Sequence, residues 1–255
     1  MTREEELFQR RLIDLANTAW NRNIITYTDF LNLNEQNIYH NTLGQLSFTE
    51  SRPFGGYECA ERQMVAFIPD AFLNALEERP FYPISCIKIT PLNAKFSDQL
   101  SHRDYLGSLM NLGIDRSKTG DIVIQDEAAY LFCHEKIADY LCQELTRIKH
   151  TTVNCQICDL NELHYEPKLQ EITGTVASIR LDALLSLAFN TSRSSLVGLI
   201  EGGKTFVNGK LITSNGYHVK EGDIVSVRGL GRFRFCETLT ATKKGRYLVK
   251  IEKYI

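Results

Sequence analysis

The sequence predicts an α+β protein in three parts, and three observations carry that prediction. Residues 84–159 run strand, helix, strand, strand, helix, strand by their apolar periodicity. From residue 179 two short amphipathic helices precede hairpin signals. Charge then separates the last part from the rest: residues 176–255 hold thirteen Lys and Arg against six Asp and Glu, whereas residues 1–175 hold sixteen against twenty-five.

The first part, residues 1–79, reads as a small mixed α/β domain. Phe8, Leu12, Leu15 and Ala19 recur at helical spacing behind an acidic start, which predicts an amphipathic helix. Thr28 or Asp29 is placed to cap a short second helix and Asn34 to start a third. Gly44, Pro53, Gly55 and Gly56 mark turns, and residues 64–68 read as a strand. Pro80 and Pro83 bracket an expected linker.

In the second part, residues 84–92 form the first strand, with Ile87 and Ile89 on one face, and residues 102–112 the first helix. Residues 122–124 and 129–133 are two short strands around an Asp126-Glu127 turn. A second helix is expected over 136–148, burying Ile137, Leu141, Leu145 and Ile148, and residues 153–157 close the set. This order is that of the ferredoxin-like fold, which many RNA-recognition modules share. Tyr130 and Phe132 lie on the second hairpin strand without the Gly-Phe consensus of those modules, and Phe132 reads as core. The polar stretch 160–175, with Pro167 and Gly174, reads as the next linker.

In the third part Leu181, Leu184, Leu185 and Ala188 give a short helix one apolar side. Thr191 or Ser192 can cap a second helix that buries Leu196, Leu199 and Ile200. Gly202 and Gly203 are expected to end it in left-handed geometry. Asn208-Gly209 predicts a type I′ hairpin, and Gly222-Asp223 precedes a strand over 224–227. So small a domain has little room for a deep active-site pocket. Its helical face can present Arg180, Ser192, Arg193, Ser194 and Lys204, whose guanidinium forks, hydroxyls and ammonium suit phosphate oxygens.

Composition excludes several classes. With 43% hydrophobic and 24% charged residues the chain is of globular type, and no run of about 18 apolar residues marks a membrane span. The start Met-Thr-Arg-Glu-Glu-Glu lacks the features of a signal peptide, so a cytoplasmic location is expected. Seven cysteines scattered among apolar residues suit reduced thiols rather than a disulfide framework. Cys155 and Cys158 have the spacing of half a zinc site. On a strand, however, positions i and i+3 face opposite ways, so neither metal nor cofactor is expected.

The linked blocks Arg180-Leu-Asp182, Ser192-Arg-Ser194, Val207-Asn-Gly-Lys210 and Gly222-Asp223 resemble the alpha-L RNA-binding motif first named from ribosomal protein S-four. The motif occurs also in certain pseudouridine synthases and tyrosyl-tRNA synthetases. The resemblance implies binding to structured RNA through the two-helix face. It implies Arg180, Ser192, Arg193, Ser194, Lys204, Asn208 and Lys210 as RNA-binding residues, with Asn208 and Gly209 shaping the turn. Arg103, Arg116 and Lys118 form a secondary basic group.

Adding the blocks Phe54-Gly-Gly-Tyr-Glu-Cys-Ala-Glu-Arg62 and 102–122, the order of motifs resembles that of the YlmH family, whose members are encoded near bacterial division genes. That resemblance implies three domains, at 1–79, 84–159 and 176–255, and association with the large ribosomal subunit through rRNA and tRNA. Members resemble quality-control factors that hold peptidyl-tRNA while a stalled chain is tailed. An adaptor for division proteins is the alternative. A monomer is expected.

An enzyme is not expected. His102-Arg103-Asp104 imitates a kinase triplet, but no Gly-rich phosphate loop or Asp-Phe-Gly accompanies it. A pseudouridine synthase needs a catalytic domain after the RNA-binding module, and 28 residues follow Val227. A tyrosyl-tRNA synthetase needs a nucleotide-binding domain with its signature loops.

Overall fold

A computed structural model describes residues 2–73, 80–93, 95, 97–160, 167–241 and 245–255. The chain divides into two compact units, residues 1–165 and 166–255.

The first unit opens with helix α1 (Arg3–Arg22). Its start is fixed by a capping box: Thr2 Oγ1 accepts the Glu5 N–H at 3.2 Å, and the Glu5 carboxylate accepts the Thr2 N–H at 2.8 Å. Strand β1 (Thr26–Tyr27), helix α2 (Leu33–Thr42), strands β2 (Glu50–Phe54) and β3 (Met64–Ile68) and the single turn α3 (Asp70–Leu73) follow. The two short helices expected after residue 28 are in fact one. Asn32 caps it by accepting two backbone N–H groups, while Thr28 Oγ1 accepts the Val65 N–H and ties β1 to β3.

The three strands pair antiparallel in the order β1-β3-β2. All five residues of β3 are buried, because Met-Val-Ala-Phe-Ile has no polar face to offer water. Val65 and Phe67 meet Leu12, Ala16 and Ala19 of α1. Met64, Ala66 and Ile68 point the other way.

What covers that second face is the middle sheet. Its elements are β4 (Ile84–Pro91), α4 (His102–Asn111), β5 (Thr119–Gln125), β6 (Ala128–His134), α5 (Ala138–Glu144), β7 (Arg147–Ile148) and β8 (Thr151–Cys158). The antiparallel order β5-β6-β4-β8, extended by β7, is the ferredoxin-like arrangement expected from the sequence. Ile87, Ile89, Leu131 and Cys133 pack under Leu109 of α4 and Leu141 of α5. On the opposite face Ile84, Cys86, Val123 and Phe132 share one core with Phe30, Met64, Ala66, Ile68 and Tyr82. Pro80 and Tyr82, read as linker, are therefore packed, and the Tyr82 hydroxyl donates to the Arg52 carbonyl at 2.5 Å.

The helix expected over 136–148 is shorter. After α5 the chain turns at Lys149 (φ 52°) and pairs Ile148 with Thr151. Leu145 and Ile148 are buried all the same, so the apolar spacing is satisfied by a helix end and a hairpin instead of one long helix.

The sequence blocks 54–62 and 102–122 meet in this unit. The Asp121 carboxylate accepts the Tyr57 hydroxyl at 2.8 Å and the backbone N–H groups of Glu61 and Arg62 at 2.7 and 3.1 Å. The Arg62 guanidinium in turn donates to the carbonyls of Thr119, Phe30 and Arg116. Burial is the main cause lowering the pKa of Arg62, and its many acceptors stabilise the cation nonetheless. Gly56, at φ 100°, lies against the Phe132 ring where a Cβ would collide.

The second unit contains β9 (Leu169–Val176), α6 (Leu181–Phe189), α7 (Arg193–Glu201), β10 (Thr205–Val207), β11 (Lys210–Leu211), β12 (Ile224–Val227), β13 (Gly231–Ala241) and β14 (Tyr247–Tyr254). The sheet order is β11-β10-β12-β13-β14-β9. Here residues 169–175, read as linker, form an edge strand that pairs with β14 along its whole length. Few of its side chains are apolar because most of them face water. Gly174 is a packing residue rather than a turn: Leu187 of α6 occupies the space a side chain would need. The helices close over Val225, Phe233, Phe235, Val249 and Ile251. The Asn208-Gly209 turn has both residues at positive φ, 48° and 78°, as a type I′ hairpin requires. At the end of α7 only Gly203 is left-handed, at φ 70°, whereas Gly202 has φ −79°.

Candidate nucleic-acid interface

The helix pair α6/α7 is built around one bend. Asn190 ends α6 in left-handed geometry (φ 48°), Ser186 Oγ donates to the Thr191 carbonyl at 2.7 Å, and α7 departs at 120°. Ser192 caps α7, its Oγ accepting the Ser195 N–H at 3.3 Å and lying within 3.1 and 2.7 Å of the Ser194 and Ser195 hydroxyls. No acidic residue lies in the first turn of α7, so the positive end of the helix dipole is left uncompensated. Arg193 is the first helical residue, exposed and without a partner among the described residues. Exposed N–H groups, three hydroxyls and one open guanidinium thus share a helix start, an arrangement suited to a phosphate oxygen.

The other expected contacts divide. Arg180 is half exposed, and its Nε donates to Asp182 at 3.2 Å, so part of its charge is already answered. Lys204, just before β10, and Lys210, the first residue of β11, are both exposed. The Asn208 side chain is spent inside the fold: its amide donates to Asp223 at 2.8 Å and its oxygen accepts the Ile224 N–H at 2.9 Å. It shapes the hairpin and anchors β12.

The secondary basic group is dispersed. Arg103 is exposed on α4. Arg116 turns inward, one terminal nitrogen donating to the Thr119 carbonyl and hydroxyl and to the Gly120 carbonyl, and burial lowers its pKa to about 10. Lys118 forms a 2.6 Å ion pair with Asp29. His102-Arg103-Asp104 is the first turn of α4, and Asp104 accepts from Ser101. Cys155 and Cys158 point to opposite faces of β8, the first toward the helices and the second toward the core shared with β3. Burial pushes the Cys155 thiol up to about 12, and its Sγ–H donates to the Leu145 carbonyl at 3.2 Å. Among the described residues no group of three His, Cys, Asp or Glu is placed to hold a metal.

Three family models match the chain in order: "YlmH, N-terminal" at residues 4–72, "Putative RNA-binding domain in YlmH" at 80–162 and "S4 domain" at 179–225. A full-length relative, "Ribosome-associated protein quality control protein P2" of Bacillus subtilis (strain 168), is 32% identical over 96% of this chain and 95% of its own. The chain belongs to the YlmH family. With its S4 domain it is an RNA-binding protein. A solved structure, "Cell division protein ylmH from Streptococcus pneumoniae", matches with a TM-score of 0.50 at 21% identity, covering 64% of this chain and 95% of the other. That likeness concerns the fold alone.

One cation of this YlmH chain escaped the sequence reading. Arg228 follows β12, its N–H donates to the Lys204 carbonyl at 2.9 Å, and its guanidinium lies 5.1 Å above the Phe206 ring centroid. The strand pairing of Thr205 with Val227 brings Lys204 and Arg228 together from 24 positions apart. The available signal was Arg228-Gly-Leu-Gly-Arg232, a glycine turn flanked by cations, with Gly229 and Gly231 at φ 86° and 109°.

Proposed function

We propose that this protein binds RNA of the large ribosomal subunit, and the tRNA held there, through the α6/α7 face, and acts without catalysis in the quality control of stalled nascent chains. The observation that carries the reading is Arg193, exposed at the uncompensated start of α7 beside three serine hydroxyls. The full-length relative named for ribosome-associated quality control supports the cellular setting. Ser192, Ser194, Lys204 and Lys210 extend the phosphate-binding surface around Arg193, with Arg180 at its margin and Asn208 holding the hairpin. Of the secondary group, Arg103 alone has an exposed head without an internal role among the described residues.

Sedimentation of cell extracts tests this. The protein is expected with large subunits, preferentially those retaining tRNA, and Arg193→Ala should shift most of it to the free fraction. One lost charge-assisted contact costs about 1.5–3 kcal/mol, roughly 10- to 150-fold in affinity. Recovery with division proteins and away from ribosomes would replace the reading with a division adaptor.

A further inference from the structure

The face of the middle sheet that lies away from α4 and α5 carries alternate residues of its strands. Along β6 these are Ala128, Tyr130 and Phe132, because Ala129, Leu131 and Cys133 pack under the helices. Phe132 is fully buried, its ring stacked on Tyr57 at 4.9 Å between centroids. The first part of the chain therefore covers half of the face on which a sheet of this kind could stack bases. Two positions earlier on the same face, Tyr130 is still partly exposed, with Lys88 opposite it in register. These two residues, with Gln125, Asp126 and Glu127 of the β5/β6 hairpin, line a hollow of about 270 Å³.

We propose that this hollow is a second RNA site, which takes one unstacked nucleotide and selects guanine. The proposal rests on RNA being the ligand of this protein and adds where a single-stranded part of it is read. Tyr130 is the aromatic residue of the lining and is partly exposed, so one base stacks on it once the Lys88 side chain lying over its ring swings aside. The hollow is polarised along its length. The exposed Lys88 ammonium, 5.9 Å from the Tyr130 centroid, suits a phosphate. The Asp126 and Glu127 carboxylates repel phosphate and accept N–H donors, which orients the nucleotide with its base edge toward the hairpin. Guanine offers adjacent N1–H and N2–H donors to one carboxylate, whereas adenine and cytosine offer one amino group and uracil one imino group. Asp126 sits in the left-handed region (φ 54°), and Asp126→Asn keeps a residue that tolerates it.

The test uses the full-length protein and labelled RNA heptamers 5′-UUUGUUU-3′, with A, C or U at the centre as controls, read by fluorescence anisotropy. The G heptamer should bind at least about tenfold more tightly than the others, the low end of what one additional charge-assisted hydrogen bond contributes. Tyr130→Ala and Asp126→Asn should each remove that preference, and Tyr130→Phe should keep it. Lys88→Ala, at an exposed position, should weaken all four heptamers severalfold. Equal binding of the four, or a preference that survives Tyr130→Ala and disappears with Arg193→Ala, overturns the proposal. A structured hairpin RNA titrated against Arg193→Ala reports on the α6/α7 face separately, so either site can fail without the other.

Discussion

Asp104 shows how a residue that imitates catalytic chemistry in the sequence does structural work. Its carboxylate accepts a 2.8 Å hydrogen bond from Lys149 and others from Ser101, and together they lower its pKa to about 2. Because the folded pKa is depressed, the stabilisation is present above the ordinary carboxylate value of about 4 and is lost as pH falls from there toward 2. A carboxyl NMR titration should place the Asp104 midpoint near 2. Lys149→Ala should move it upward, and amide exchange in the first turn of α4 should rise only on the acid side of pH 4. A midpoint that ignores Lys149→Ala would refute the pairing. The same scale separates the arginines: Arg193 and Arg116 look alike as letters, but one caps nothing and faces water, and the other threads three oxygens beneath Gly120.

Glycines distinguish the elements in a way that letters alone do not. Gly107 lies inside α4 with open space where a side chain would go, so Gly107→Ala should stabilise the protein by about 0.5–1 kcal/mol. On β5 a Gly120 side chain would come within 2.7 Å of Phe30 and 3.1 Å of Phe132, so Gly120→Ala should destabilise it by about 1–3 kcal/mol. Urea unfolding of the two variants, with midpoints moving in opposite directions, checks both. The βαββαβ order and the helix pair were legible because their apolar periods are local. Strand β9 was not, since an edge strand with one wet face looks like a linker until β14 is known to lie beside it. Helix α2 was split in two because Thr28 and Asp29 resemble caps, and only the pairing of β1 with β3 claims Thr28. The start of α7 was readable from Ser192, whereas the approach of Arg228 to Lys204 depends on strand pairing and was not.

At the scale of the whole molecule the charge imbalance becomes a difference between two units: residues 1–165 carry fifteen Lys and Arg against twenty-three Asp and Glu, and residues 166–255 fourteen against eight. An RNA held by the basic unit is repelled by the acidic one over a distance set by salt. The Debye length is about 10 Å at 0.1 M and about 3 Å at 1 M, so this repulsion fades as salt rises. Counterion release at the phosphate contacts weakens binding over the same range, and it acts alike on the full chain and on a fragment of residues 166–255 that retains β9. The fragment should therefore bind a structured hairpin RNA more tightly than the full chain at low salt and show the steeper decline, the two curves meeting as ionic strength increases. If the full chain binds more tightly throughout, the first unit contributes RNA contacts of its own that outweigh its charge. Repeating the titration with Tyr130→Ala in the full chain would then show whether the hollow beside Tyr130 supplies them.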